Sequence, residues 1–295
     1  MTNQPASPPS LLVLPGEDGD TLITTSRQWP AKRQDILRRV EPLLQEAPRT
    51  LSPLDPQVLA QEDRGDHVEQ QVRYGVEIHE TCTATLLLPK PLAHRQPAVL
   101  CCPFNGESST SALGKELAKR HFVVLMPHER KLSAGKTLWD HQRGLDFLCH
   151  LDAVDSDRLA AIGQGYGGAN AILLAAFDHR VKAGAAACAY EPLAVAEPGA
   201  WAGFLAVGEP PAFEWAEVLG LIAPRAFHYT YAVEDEVFPH GEAVRDDMIE
   251  LGRLYDLLGC RDKLSTFEIP AGHGYPTAAR REAYTLFRRV LQDRR

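Results

Sequence analysis

The spacing of hydrophobic residues changes along the chain. Between Ala31 and Glu46 the apolar residues recur on one face of a helical repeat, which predicts a helix in the N-terminal region. From Val68 the pattern changes to short runs of strand-favouring residues, HVEQQVRYGVEIHE and CTATLLLP, which predict an antiparallel hairpin. Beyond Gln96 short apolar runs alternate with longer amphipathic stretches, as in a chain whose strands and helices follow one another.

These runs define the predicted elements of the fold. The strands after the hairpin are Ala98–Cys102, Phe122–Met126, Arg158–Ile162, Val181–Cys188, Arg225–Tyr231 and Leu264–Ile269. The helices are Ser111–Arg120, Thr137–Leu151, Gly168–Phe177, Gly241–Leu258 and Thr277–Gln292. Short apolar strands separated by helices indicate an α/β protein with a mostly parallel central sheet, helices on both faces and an N-terminal helical extension.

Composition limits the size and class of the protein. The 295 residues include 44% hydrophobic and 24% charged residues, which is typical of a globular chain with a sizeable core. We divide the chain into an arm and helical extension, 1–67, and one α/β domain, 68–295. The formal net charge of −8 disfavours binding to nucleic acid.

The sequence also suggests a location for the protein. No apolar run approaches the roughly 20 residues that cross a bilayer, so we expect no membrane segment. The first residues lack the pattern of a secretory signal, and the six cysteines form no C-x-x-C pair. Buried free thiols and a cytoplasmic location are therefore expected.

A glycine-rich turn follows the predicted strand Arg158–Ile162. It reads GQGYGG and leads directly into a helix rich in small residues. A strand, a glycine-flanked turn and a helix form a nucleophile elbow, in which the central residue of G-x-S-x-G adopts a strained backbone conformation. Gly163 and Gly167 are the flanks, so the nucleophile position is Gly165. The sequence predicts an elbow without a nucleophilic side chain.

The same turn also matches a dinucleotide-binding pattern. Gly163, Gly165 and Gly168 fit G-x-G-x-x-G. That pattern normally follows the first strand and is followed by a strand-end acid about 20 residues later. Here it lies beyond the middle of the chain, and Val181–Cys188 is apolar, so nucleotide binding is disfavoured.

Two later loops carry a candidate acid and a candidate base. Asp235 follows the strand Arg225–Tyr231, and His273 lies in a glycine-bracketed loop after the last strand. Singly, they would be a turn-capping aspartate and an exposed loop histidine. Together they follow the elbow in the chain order nucleophile, Asp, His of hydrolases, which predicts a hydrogen-bonded dyad.

At these residues the sequence resembles a known group of enzymes. GQGYGG, the run LIAPRAF before Asp235, and Gly272-His273-Gly resemble the dienelactone-hydrolase and acetyl-xylan-esterase branch of the α/β-hydrolases, from about Ala31 to the C-terminus. The resemblance implies the α/β-hydrolase fold and a serine esterase for small acyl or sugar esters, with no cofactor or metal. It implies catalytic roles for Asp235 and His273. It also implies an oxyanion hole formed by backbone N–H groups of Tyr166 and of Phe104 or Asn105.

The chain departs from that pattern at Gly165 and in the loop after Ala98–Cys102, where such esterases usually show His-Gly and where Pro103 has no backbone N–H to donate. Without a nucleophile the covalent acyl-enzyme route is closed, so standard esterase activity should be near background. The first alternative is a silent or regulatory protein that binds a ligand in the old cleft. In the second, His273 acts as a general base without a covalent step. In the third, Ser108, Ser109 or Cys102 supplies the nucleophile. An engineered Ser→Gly change is a further alternative.

The segment 190–215 is rich in proline, glycine and aromatic residues, and it falls where this fold inserts a cap. Trp201, Phe204 and Trp215, with Phe213, either line a pocket for an apolar or sugar group or form the core of the cap itself. The expected partner is a small ester, acid or sugar-derived ligand. The oligomeric state is not predicted.

Overall fold

The computed structural model describes residues 10–16, 19–44, 51–92, 94–103, 107–130, 132–197, 200–201, 204–205 and 212–293, with the backbone alone at 107–109. The strands are β1 Val13–Leu14, β2 Thr21–Leu22, β3 Gln57–Asp63, β4 His67–Glu77, β5 Glu80–Pro89, β6 Gln96–Cys101, β7 Val123–Pro127, β8 Val154–Gln164, β9 Val181–Ala187, β10 Ala226–Ala232 and β11 Leu264–Ile269. The α-helices are α1 Trp29–Val40, α2 Glu107–Ala118, α3 Ala134–His150, α4 Tyr166–Phe177, α5 Trp215–Gly220, α6 Gly241–Leu257 and α7 Thr277–Phe287. Short 3-10 turns cover Glu41–Leu44 and Arg261–Lys263, and a π-helical turn covers Arg288–Gln292.

A nine-stranded sheet in the order β11-β10-β9-β8-β6-β7-β5-β4-β3 forms the centre of the protein. The strands from β11 to β7 in that order pair in parallel, whereas β5, β4 and β3 pair antiparallel at the other end. The predicted hairpin is β4 and β5. The prediction of a mostly parallel sheet is confirmed.

Side chains of the central strands alternate between two hydrophobic cores. Along β8, Leu159 and Ala161 belong to the larger core, whereas Ala160 and Ile162 belong to the other. Residues of α1, α3, α4, α5 and α6 fill the first core, and residues of α2 and α7 fill the second. Because strand residues alternate in direction, a strand with helices on both faces must be apolar throughout.

The sheet begins earlier than the predicted division at residues 67 and 68. Strand β3 pairs with β4 along an edge, and every residue of β3 is exposed. Its sequence mixes apolar and polar residues with no buried face, so hydrophobic periodicity did not predict it. The predicted helix from Ala31 to Glu46 starts at Trp29, and its α-helical part ends at Val40.

A buried ion pair joins the N-terminal helix to the domain. Lys32 of α1 lies 2.6 Å from Glu217 of α5, and neither side chain has any exposed surface. Arg39, two turns along the same face of α1, donates to Glu217 at 2.7 Å and to Asp35 at 2.8 Å. The helical extension is thus part of the packed structure. None of the described helices is long and apolar enough to cross a membrane.

Candidate active site

The turn between β8 and α4 has the backbone geometry of a nucleophile elbow. Gly165 has φ 55° and ψ −134°, and its N–H donates to the Ala187 carbonyl at 2.9 Å. A Cβ at Gly163 would lie 2.1 Å from the Gly167 oxygen, and a Cβ at Gly167 would lie 2.6 Å from the Pro103 oxygen. The flanking glycines are therefore required by close backbone contact. The left-handed backbone that normally presents a serine here carries only hydrogen.

The structure brings Asp235 and His273 together. They follow β10 and β11, which are neighbouring parallel strands, so both loops leave the same edge of the sheet. His273 Nδ1 lies 3.0 Å from Asp235 Oδ1 and 3.1 Å from Oδ2. Both side chains are largely buried, with 8% and 3% exposed. This is the hydrogen-bonded pair that the sequence predicts.

Backbone groups fix the carboxylate of Asp235. Its Oδ1 accepts hydrogen bonds from the N–H groups of Val237 and Phe238, each at 2.9 Å. Burial opposes ionisation, but the hydrogen bonds from His273 and from these two N–H groups outweigh it and lower the pKa of Asp235. An ionised Asp235 accepts a hydrogen bond from the imidazole, which favours the Nδ1–H tautomer of His273.

Glu236 holds the histidine loop against the acid loop, and the sequence did not predict this role. Its carboxylate accepts the backbone N–H of His273 at 2.8 Å. That hydrogen bond lowers the pKa of Glu236. The His273 loop is therefore anchored by its main chain as well as by its side chain.

Phe238 connects the dyad to the elbow. Its ring lies 5.9 Å from the His273 ring and 5.4 Å from the Tyr166 ring, measured between centroids. It also stacks on Trp201 at 5.4 Å with an interplanar angle of 9°. The acid loop, the histidine, the elbow helix and the segment 190–215 meet at this contact.

The three aromatic residues proposed for the pocket occupy different places. Phe204 and Tyr166 line a cavity of about 280 Å³. Trp201, 3% exposed, packs edge-on against Tyr166. Trp215 has no exposed surface and packs on Tyr190 and Trp201, as in the alternative in which these aromatics form a core.

The cavity beside Tyr166 also contains polar residues that sequence reasoning missed. Arg130 bridges Glu80 and Asp140, with its Nη1 atom 3.0 Å from the Asp140 carboxylate. Asn170 lies in the same wall, one turn along α4 from the elbow. Among the described residues, the buried Oδ1 atom of Asn170 has no hydrogen-bond partner. A buried amide oxygen of this kind is suited to a ligand or water that donates a hydrogen bond.

The remaining candidates are only partly described. Phe104 and Asn105 lie outside the described residues, and so do the side chains of Ser108 and Ser109 in the first turn of α2. The Tyr166 N–H belongs to the first turn of α4, where amides have no partner within the helix. The oxyanion-hole role of Tyr166 and of Phe104 or Asn105, and the role of Ser108 or Ser109 as a nucleophile, stay predictions.

The environment of Cys102 disfavours it as a substitute nucleophile. Its side chain is buried, and burial raises the pKa of the Cys102 thiol well above its usual value. The His141 Nδ1 atom lies 3.8 Å from the sulfur, and burial lowers the pKa of His141 to about 4. This pair is neutral at pH 7, whereas a nucleophilic thiol needs its thiolate form.

A different cysteine lies beside the dyad. Cys188 directly follows β9, and its sulfur, a carboxylate oxygen of Asp235 and a ring nitrogen of His273 all lie within 4.8 Å of one another. Sequence reasoning counted Cys188 as an ordinary buried thiol. Within the part of the chain that the structure describes, these three residues form the group of side chains that could hold a metal ion.

We compared the chain with protein families, curated proteins and solved structures. No protein-family model and no curated protein matches the chain. A glucuronoyl esterase from Solibacter usitatus has a TM-score of 0.76 at 15% identity, covering 98% of this chain and 99% of that one. A glucuronoyl esterase from Teredinibacter turnerae has a TM-score of 0.72 at 15% identity, covering 96% and 89%. A Bacteroides fragilis protein described as a candidate acetyl xylan esterase has a TM-score of 0.61 at 12% identity, covering 82% and 75%.

The chain has the α/β-hydrolase fold. The predicted resemblance is confirmed at this level, since the neighbours share the sheet and are esterases by name. In this chain, β8 and α4 build the elbow, and the loops after β10 and β11 carry Asp235 and His273. At the nucleophile position of this elbow the chain has Gly165.

Proposed function

We propose that this hydrolase binds small acyl or sugar esters in an esterase cleft but forms no acyl-enzyme, so that its standard esterase activity is near background. One observation carries the proposal. The elbow backbone at Gly165 and the His273–Asp235 hydrogen bond are both formed, and the elbow presents no side chain. The esterase neighbours support the substrate class.

The size of the expected loss follows from known serine hydrolases. Removing the nucleophile costs about a millionfold in turnover and leaves roughly 10³–10⁴ over the uncatalysed reaction. That remainder comes from binding and from an oxyanion hole, neither of which needs the serine. A low but measurable rate is therefore compatible with Gly165.

The dyad retains the chemistry for a direct attack by water. With Nδ1–H donated to Asp235, the Nε2 atom of His273 is the acceptor for a water proton. Water oxygen then bonds to the ester carbonyl carbon, and the proton moves to Nε2. When the C–O bond of the tetrahedral intermediate breaks, the imidazolium returns this proton to the leaving alkoxide. Asp235 stabilises the imidazolium throughout.

A second candidate function is ligand binding without turnover. The cavity beside Tyr166 favours it, since the polar residues Arg130, Asp140 and Asn170 line its wall. A ligand that fills this cavity through polar contacts needs neither the elbow nor the dyad. Calorimetric titration with candidate esters and their product acids would report such binding.

Hydrolysis of a small activated acyl ester distinguishes these functions. The proteins to compare are the native chain, His273→Ala, Gly165→Ser, and Gly165→Ser with His273→Ala. We expect turnover to rise strongly in Gly165→Ser and to fall again when His273 is also changed. A native rate that depends on His273 would support direct attack by water. If the serine-restored protein is inactive although folded, the esterase cleft is not functional and the binding function is favoured.

A further inference from the structure

Three metal-ligating side chains meet at the carboxyl ends of three neighbouring strands. Cys188 follows β9, Asp235 follows β10 and His273 follows β11. The Cys188 backbone is left-handed, with φ 43°, and its side chain is buried. Its thiol donates to the Gly274 carbonyl at 3.3 Å. No residue of this group is an isolated surface acid.

The chemistry of these donors matches one class of ion. Thiolate, imidazole nitrogen and carboxylate oxygen are the ligands of zinc, at bond lengths of about 2.0–2.3 Å. A tetrahedron with such bonds separates its donors by roughly 3.3–3.7 Å. Here the nitrogen and oxygen are 3.0 Å apart, and no pair of donors exceeds 4.8 Å.

We propose that Cys188, Asp235 and His273 form a binding site for Zn²⁺. Three protein ligands leave a fourth position for water. The site uses the Nδ1 atom of His273, so the metal replaces the hydrogen bond to Asp235. It also replaces the hydrogen bond between the thiol and Gly274.

Binding must release the thiol proton. The Cys188 thiol donates a hydrogen bond to the Gly274 carbonyl, so it carries its proton without metal. A metal that takes the thiolate displaces one proton, and its affinity should rise about tenfold per pH unit near neutrality. The imidazole proton stays on the ring but moves from Nδ1 to Nε2. The net release is one proton per metal ion.

That shift of the imidazole proton makes the site inhibitory. A neutral imidazole carries one N–H, so a metal on Nδ1 leaves Nε2 as a donor and removes the general base. This consequence rests on the proposed function, because it requires that His273 act as a base. Binding of the metal itself does not.

Cobalt titration tests the site without any activity measurement. Co²⁺ added to the full-length protein should produce the near-ultraviolet absorption of a cobalt–thiolate bond, and Zn²⁺ should abolish it by displacement. Cys188→Ser should weaken binding by more than about tenfold, since even outer-shell partners contribute that much. Cys102→Ser is the matched control, because its sulfur is also buried and lies 3.8 Å from a histidine nitrogen. The proposal is overturned if no thiolate band appears, if the band persists in Cys188→Ser, or if Cys102→Ser removes it.

Inhibition is tested separately in the serine-restored protein. Zn²⁺ should inhibit ester hydrolysis by Gly165→Ser, and the ratio of rates with and without Zn²⁺ should approach one when Cys188→Ser is added. The inhibitory role would be overturned if Zn²⁺ changed the rate by the same factor in Gly165→Ser with and without Cys188→Ser. If Gly165→Ser is inactive, the proposed function fails, whereas the cobalt titration still decides the metal site.

Discussion

Replacing Asp235 by asparagine should reverse the tautomer of His273. In the native chain, Oδ1 of Asp235 accepts two backbone N–H groups at 2.9 Å, from Val237 and Phe238. In Asp235→Asn these donors retain the amide oxygen at that position, so the amide NH₂ points toward the ring. The Nδ1 atom, 3.0 Å from the side chain, must then become an acceptor, and the proton moves to Nε2.

The size of the effect follows from the geometry. A histidine with its proton on Nε2 cannot take a proton from serine or water, and the same change in a serine protease lowers turnover by about 10⁴. We expect a similar loss in the Gly165→Ser background, with little change in KM. Glu236→Gln is the matched control. Its amide oxygen can still accept the His273 backbone N–H, so turnover should change by less than about threefold.

Two assays follow the change. The kcat and KM for a small activated ester report the loss in the serine-restored protein. Nitrogen-15 NMR of the imidazole reports the tautomer in the native chain and needs no activity. The reasoning is refuted if Asp235→Asn retains the Nδ1–H tautomer, or if it loses less than about tenfold in kcat while the tautomer has changed.

Three stability predictions test the packing around the site. Glu217→Gln should lower the free energy of unfolding by about 3–5 kcal/mol, because it leaves the fully buried Lys32 ammonium without a carboxylate. Urea titration measures this loss, and a loss under about 1 kcal/mol would contradict the prediction. Burial, together with nearby carboxylates, raises the pKa of Asp247 to about 7, although the hydrogen bond that Tyr190 donates to this carboxylate lowers it. Because the pKa of Asp247 is raised in the folded state, its contribution to the free energy of unfolding is present at low pH and should disappear as pH rises from about 4 to about 7. Asp247→Asn should therefore flatten the plot of unfolding free energy against pH in this range. Parallel plots for the native chain and the variant would contradict this prediction. Gly163→Ala should lower the free energy of unfolding by more than about 2 kcal/mol, because its Cβ would lie 2.1 Å from a carbonyl oxygen. Gly274→Ala is the control and should lower it little, since the nearest contact of its Cβ is at 3.9 Å. Thermal unfolding of both variants checks this difference.

Local patterns were sufficient to predict the elbow and the dyad. The glycines at 163 and 167 are required by contacts within one turn, and such contacts are encoded locally. Asp235 and His273 are predicted from their order after the elbow, and they meet because consecutive parallel strands place their following loops at one edge of the sheet. Strand β3 was missed because none of its residues is buried, so it has no hydrophobic period.

Roles that depend on distant neighbours could not be predicted. Trp215 and Phe204 belong to the same aromatic segment, yet one is buried in the core and the other lines a cavity. The composition of the segment does not show which of its aromatic side chains point into the core and which point into the cavity. Asn170 lies in a helix of small residues, and no local pattern shows that its buried amide oxygen has no hydrogen-bond partner among the described residues.

Cys188 shows how the loss of one side chain changes the importance of its neighbours. In a serine hydrolase the dyad acts on the nucleophile, and a thiol behind the acid has no part in that step. Here Gly165 offers no hydroxyl, so the dyad has no covalent partner, while the donors around its Nδ1 side remain assembled. His273 can then take a proton through Nε2 or, in the proposed site, hold a metal through Nδ1, but not both at once. Occupation of the metal site would therefore set whether any residual base chemistry is expressed.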